Sequence, residues 1–199
     1  MTGLSAIFIA ARLVCMALKP PTEPKLYEAA LNHLARYAAT EVSLGQVLSR
    51  KIDRWARLYA GEDADPEEVA LAARGAKSAI PRVLARLKEA GVLNDAAFAA
   101  SRGKRLTREG KSRRYALAHL VAKGVAAAAA QAALADDPAR ELAAAAAFLR
   151  RKRAGPFGAA PELKVLAAMA RLGFSQDVAR RALRLERDEA EALIKTLHE

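Results

Sequence analysis

One residue in four of this 199-residue chain is alanine, 50 in all. Alanine is the strongest helix former and a poor strand former, and no stretch alternates apolar and polar residues for long enough to argue a strand. An all-α chain is therefore expected. The same count thins the core: 53% of the chain is apolar, but without alanine only about 28% remains, and aromatics make up 5%. Helices must then pack closely around few large residues, which favours several small units over one large globule.

Helical periodicity supports this. Leu26, Ala30, Leu31, Leu34 and Tyr37 share one helical face, and Leu44, Val47, Leu48, Ile52 and Trp55 share another. Ile80, Val83, Leu84 and Leu87 predict a further helix, followed by helices over 95–109, 112–123 and the alanine run to Leu134. Asp136-Asp137-Pro138 reads as a loop and N-cap for a helix carrying Leu142, Leu149 and Arg150-Arg151-Lys152-Arg153. Gly155-Pro156-Phe157-Gly158 breaks that helix. Leu163, Leu166 and Met169 mark the next one, and helices over 176–185 and 188–198 close the chain.

Three segments align without gaps on Gly91, Gly124 and Gly173. Seven residues before each glycine stands Leu84, Leu117 or Leu166; four before it, Leu87, Leu120 or Met169; one after it, Val92, Val125 or Phe174. The pattern is that of a helix closed by a left-handed glycine, with an apolar residue folding back onto the last turn. Asp95 and Asp177, four residues after their glycines, suit the start of the next helix. Spacings of 33 and 49 residues disfavour a rigid solenoid and fit a tandem array of small units.

Around these glycines stand GVLNDAAFA (91–99), EGKSRRYALAHLVAKGV (109–125) and LKVLAAMARLGFSQDVARRAL (163–183), preceded by AALNHLARYAATEVSLGQVLSRKI (29–52). Together they resemble the bacterial RecX family, regulators that bind the RecA recombinase, and the resemblance spans about residues 26–185. Ser112 stands where a second glycine is often found, and His119 where an acid is common. The resemblance implies an elongated tandem array of three small three-helix modules. Their expected bounds are 25–91, with a lengthened loop at 59–78 in which Pro66 reads alternatively as a helix start; 92–136, the basic module; and 137–199, with an extra C-terminal helix. Residues 1–24 are expected to be an N-terminal extension.

Lys and Arg number 33 against 22 Asp and Glu, a formal net charge of +11. Residues 102–114 hold Arg102, Lys104, Arg105, Arg108, Lys111, Arg113 and Arg114 against Glu109 alone, so thirteen residues carry +6 of that total. Helical geometry brings 101, 105 and 108 to one face and 104, 108 and 111 to its neighbour. Arg150, Arg151, Lys152 and Arg153 form a second cluster at a helix end, where cations meet the dipole favourably. Such a balance suits acidic partners. Phe98 and Tyr115, which flank the first cluster, read as core residues, so base-stacking platforms are weakly supported.

Chemistry has no such foothold. One cysteine excludes an intrachain disulfide framework and a cysteine-cluster zinc site. His33, His119 and His198 lie far apart, and no phosphate loop, HExxH motif or Ser/His/Asp set is present. No enzyme activity, cofactor or metal is expected. The resemblance implies a cytoplasmic, monomeric modulator lying along the RecA–DNA filament, with weak direct DNA contact, that hinders strand exchange, ATP turnover and co-protease activity. A helical-repeat protein acting on DNA without RecA is the alternative, and an amphipathic membrane-surface protein anchored by residues 4–18 is a second.

Residues 4–18, LSAIFIAARLVCMAL, are too short for a comfortable membrane span of roughly 20 residues, and their first charge, Arg12, lies inside the apolar run rather than before it. They read as a non-structural or packing extension, and a start of synthesis at Met16 is the alternative. Amino-terminal sequencing of the protein from its native host separates the two: Met16 or Ala17 read first supports the later start, and recovery of a peptide holding Ile7 to Leu13 contradicts it.

Overall fold

A computed structural model describes residues 19–60 and 64–197. The apolar leader with Cys15 and Met16, Gly61 to Asp63, and His198 lie outside them. The described chain is helical and divides into two compact units after Asn94.

The first unit holds α1 (Glu23–Leu34), α2 (Glu41–Tyr59), α3 (Pro66–Lys77) and α4 (Ile80–Glu89). Thr40, fully buried, starts α2: its hydroxyl accepts from Ser43 N at 3.1 Å, while Ser43 Oγ accepts from Thr40 N at 2.8 Å. This reciprocal capping box satisfies two amides that the helix itself leaves open. Leu44, Leu48, Ile52 and Trp55 then face a core completed by Leu26, Val83, Leu84 and Leu87. Two expectations change here. Tyr37 lies beyond the end of α1 and is 59% exposed, so it does not extend that helix's buried face. The stretch 59–78 is mostly α3 rather than a loop. Asp65 accepts from Glu67 N at 2.8 Å, Pro66 supplies a preset first-turn φ, and Val69, Ala73 and Ala76 are buried at helical spacing.

The second unit holds α5 (Asp95–Arg108), α6 (Arg113–Ala122), α7 (Ala127–Ala132), α8 (Pro138–Lys152), a 3-10 turn (Gly155–Phe157), α9 (Glu162–Arg171), α10 (Gln176–Leu183) and α11 (Arg187–Thr196). Its buried apolar residues form two clusters, one from Ala99 to Leu134 and one from Leu142 to Leu197. Phe98 and Tyr115 pack, partly buried, against the first. In the second, α8 is buried without a break from Leu142 to Leu149, and α9, α10 and α11 pack around it. Five consecutive alanines, Ala143 to Ala147, make that possible, because small side chains admit neighbours on several faces. Leu163, expected on the buried face of α9, is 83% exposed; Val165 and Met169 face the core in its place.

The three repeat glycines share one geometry. Gly91, Gly124 and Gly173 have φ of 70°, 90° and 84°. The amide that follows each one donates to the carbonyl five residues earlier: Val92 to Leu87, Val125 to Leu120, and Phe174 to Met169, at 3.0 to 3.1 Å. Two further copies escape the apolar pattern. Lys111 N donates to Leu106 O at 3.0 Å across Gly110 (φ 64°), and Ala154 N to Leu149 O at 3.1 Å across Arg153 (φ 50°).

A side chain in the left-handed region costs about 1–2 kcal/mol. An added Cβ at Gly91 meets nothing within 4 Å, whereas at Gly173 it meets Ser112 Oγ at 3.0 Å and Arg114 Cβ at 3.1 Å. Urea denaturation should therefore show Gly91→Ala costing about 1 kcal/mol, Gly173→Ala distinctly more, and Arg153→Gly stabilising by about 1 kcal/mol. Equal costs at the two glycines, or loss of stability in Arg153→Gly, contradict this reading.

Candidate functional site

The basic segment begins on α5, whose line of Ala99, Gly103 and Leu106 is buried. At about 100° per residue, Lys104, Arg105 and Arg108 occupy an arc of about 100° opposite that line, and all three are exposed. Gly103 lets Leu134 close against the helix: a Cβ there would lie 2.8 Å from Leu134 Cδ2. Arg102, nearer the buried side, donates through Nε to His119 Nε2 at 3.2 Å. That bond requires an unprotonated Nε2. Burial, followed by the charges of Arg102 and Lys123, lowers the His119 pKa in the same sense. Arg105 pairs with Glu109 at 2.8 Å one turn on, and this hydrogen bond lowers the Glu109 pKa.

The turn between α5 and α6 is held from outside. Gly110 sits so close to α8 that a Cβ would lie 3.0 Å from Ala144 O and 3.1 Å from Ala147 Cβ. The Arg151 guanidinium donates to Glu109 O. Ser112 is fully buried; its Oγ accepts from Tyr115 N at 3.0 Å, capping α6, and donates to Leu172 O at the end of α9. Arg113 N donates to Glu141 Oε2 at 2.8 Å, and Arg113 Nε to Leu134 O at 3.3 Å. The Lys111 ammonium stands 5.0 Å from the centre of the Tyr115 ring, a cation–π distance.

The eleven predicted cations thus separate by role. Lys104, Arg105, Arg108 and Arg114 are exposed, as are Arg150, Arg151, Lys152 and Arg153. Arg102, Lys111 and Arg113 are half-buried and engaged with His119, Tyr115 and Leu134. The two clusters, about forty residues apart in sequence, meet where Arg151 reaches Glu109. Arg150 pairs with Glu191 at 3.0 Å. A shallow cleft beside the segment is lined by Lys104, Thr107, Lys111, Arg113, Arg140 and Glu141, among others. Arg140 and Glu141 carried no local sequence signal, because α8 meets this turn only through tertiary packing. Among the described residues no group of His, Cys, Asp and Glu could hold a metal ion, and no helix is long and apolar enough to cross a membrane. The site offers guanidinium and ammonium groups to phosphates or carboxylates.

No family model matches the sequence. A protein of Myxococcus xanthus (strain DK1622) named regulatory protein RecX is 34% identical over 166 residues, which cover 79% of this chain and 83% of that protein. The crystal structure of RecX from Lactobacillus salivarius superposes with a TM-score of 0.53 at 20% identity, over 88% of this chain and 96% of its own. A second crystal structure of regulatory protein RecX gives 0.56 at 22% identity, over 91% and 78%. At these identities the two structures speak for the fold.

Glu141 provides a test of how the turn is held. Burial raises its pKa, opposed by the hydrogen bond from Arg113 N and by the Arg113 charge. With the folded pKa raised, the folded state binds the proton more tightly, and stability falls as pH rises above the ordinary glutamate value of 4.5. Gln keeps an acceptor for Arg113 N without the ionisation. In urea melts between pH 4.5 and 7, Glu141→Gln should therefore lose less stability than the unmodified protein. Parallel pH profiles contradict the assignment.

Proposed function

The chain belongs to the RecX family of regulatory proteins, and from that membership we propose that it binds a RecA-type recombinase, or the filament this forms on DNA, and restrains recombinase, ATPase and co-protease activity. The observation that carries the reading is the arc of Lys104, Arg105 and Arg108, held opposite the buried face of α5. Arg114, Lys152 and Arg153 extend it with further exposed cations. A filament groove offers both partners such a face suits: carboxylates of the protein and phosphates of the DNA backbone. In this reading the protein works in the cytoplasm as a monomer and acts by occupancy, without chemistry of its own. The three apolar clusters, Leu26 to Leu93, Ala99 to Leu134 and Leu142 to Leu197, are read as the cores of three modules along the filament.

Direct DNA binding without the recombinase is the competing reading, and the same exposed cations favour it. ATP hydrolysis by the recombinase separates the two, because binding to DNA without the recombinase leaves that activity unchanged.

The decisive variant combines Lys104→Glu, Arg105→Glu and Arg108→Glu. Arg113 is left intact because it holds Leu134 O. At about 1 kcal/mol per reversed contact, the concentration that half-inhibits RecA ATP hydrolysis on single-stranded DNA should rise about 100-fold, with native helicity retained. Full inhibition by a natively folded variant overturns the site. Tight binding of bare single-stranded DNA with no effect on the ATPase favours the competing reading.

A further inference from the structure

The second unit carries an apolar surface that the basic segment does not use. On α9, Val165 and Met169 point into the core, while Leu163, Leu166, Ala167 and Ala170 share a second face at positions i, i+3, i+4 and i+7. Leu163 is 83% exposed, the most exposed large apolar side chain among the described residues. Leu166, Ala167 and Ala170 continue into a groove of about 290 Å³, whose other side is Phe174, Gln176 and Ala179. The alanines lower the wall of the groove, so an incoming backbone can come close.

We propose that this groove docks an amphipathic helix of a partner protein whose apolar stripe is bordered by carboxylates. The charge around the groove selects that occupant. Lys164 and Arg171 follow Leu163 and Ala170 along one edge of α9, and Arg180 follows Ala179 on α10; all three are exposed. From Glu162 to Arg184 the chain holds five cations against Glu162 and Asp177. A helix presenting apolar residues at i, i+3, i+4 and i+7 matches the stripe in period, and acids beside them match the rim in sign. A second copy of this chain is disfavoured, since its own stripe bears the same cationic rim and docking would set like charges together. A bilayer is disfavoured by shape: the site is concave, and Gln176 lies in its lining. The proposal is independent of the recombinase reading and uses none of its residues.

The test uses two fluorescein-labelled helical peptides with the same leucine stripe, one bordered by glutamates and one by lysines, titrated with the full chain and followed by anisotropy. The glutamate peptide should bind, and the lysine peptide should bind at least about tenfold more weakly. Ala170→Gln, which fills the groove without adding charge, and Leu163→Ser, which shortens the stripe, should each weaken binding about tenfold or more. Both positions are exposed, and unchanged circular dichroism confirms that each variant is folded. Absence of binding, equal binding of both peptides, or full binding by the folded variants overturns the proposal. Self-association of the chain that Ala170→Gln abolishes identifies a second copy as the occupant. Partition into phosphatidylglycerol vesicles that the same change abolishes identifies lipid. Either result also overturns it.

Discussion

Ser112 makes two hydrogen bonds in a place where no water reaches it. Its oxygen caps α6 by accepting from Tyr115 N, and its proton goes to Leu172 O, one of the carbonyls that α9 leaves open at its end. An N-cap is worth about 1 kcal/mol, and a buried carbonyl stripped of its donor costs about 1–3 kcal/mol. One hydroxyl therefore fixes where the turn after α5 lies relative to α9. Glu141 and Arg151 reinforce it from α8, one by accepting the Arg113 amide and the other by donating to Glu109 O. The basic face depends on this support. Seven cations in thirteen residues repel one another, and Arg113 and Arg114 open α6, where the helix dipole disfavours positive charge. Contacts from α8 and α9 offset that repulsion and hold Lys104, Arg105 and Arg108 on an ordered helix.

Alanine content and charge distribution act together here. The α5–α6 turn can lie against α8 because Ala144 and Ala147 present little bulk, with Gly110 supplying the remaining space. Larger residues at those positions would push the turn away and separate the Arg150–Arg153 run from the 102–114 segment. Chain composition thus shapes the charged surface as well as the fold: close helix packing joins two cationic clusters that are distant in sequence.

What the sequence made legible follows from what is local. Helix periodicity and glycine stops are local, so the helices over 41–59, 80–89 and 138–152 and the three glycine turns could be read directly. Gly110 and Arg153 take the same turn but lacked the cue, since Lys111 replaces the apolar residue after one and arginine replaces glycine at the other. Leu163 was misplaced because two apolar faces of α9 overlap in sequence, and only packing decides which is covered. Only Pro66, readable as a helix start, signalled the helix over 66–77, because its alanines carry high propensity but little periodic contrast. In the candidate site the cations were visible as a charge run. Their division into exposed and half-buried residues was not, because it rests in part on His119 and Leu134, which lie 17 and 21 residues from Arg102 and Arg113.

The 109–115 turn is thus held as firmly as the helices that support it. Amide hydrogen exchange followed by NMR tests it directly, at Lys111, Arg113 and Tyr115, whose N–H groups donate to Leu106 O, Glu141 and Ser112. Protection at these three amides should be comparable to that of the buried alanines of α8. Exchange at rates close to those of an unstructured peptide would contradict it.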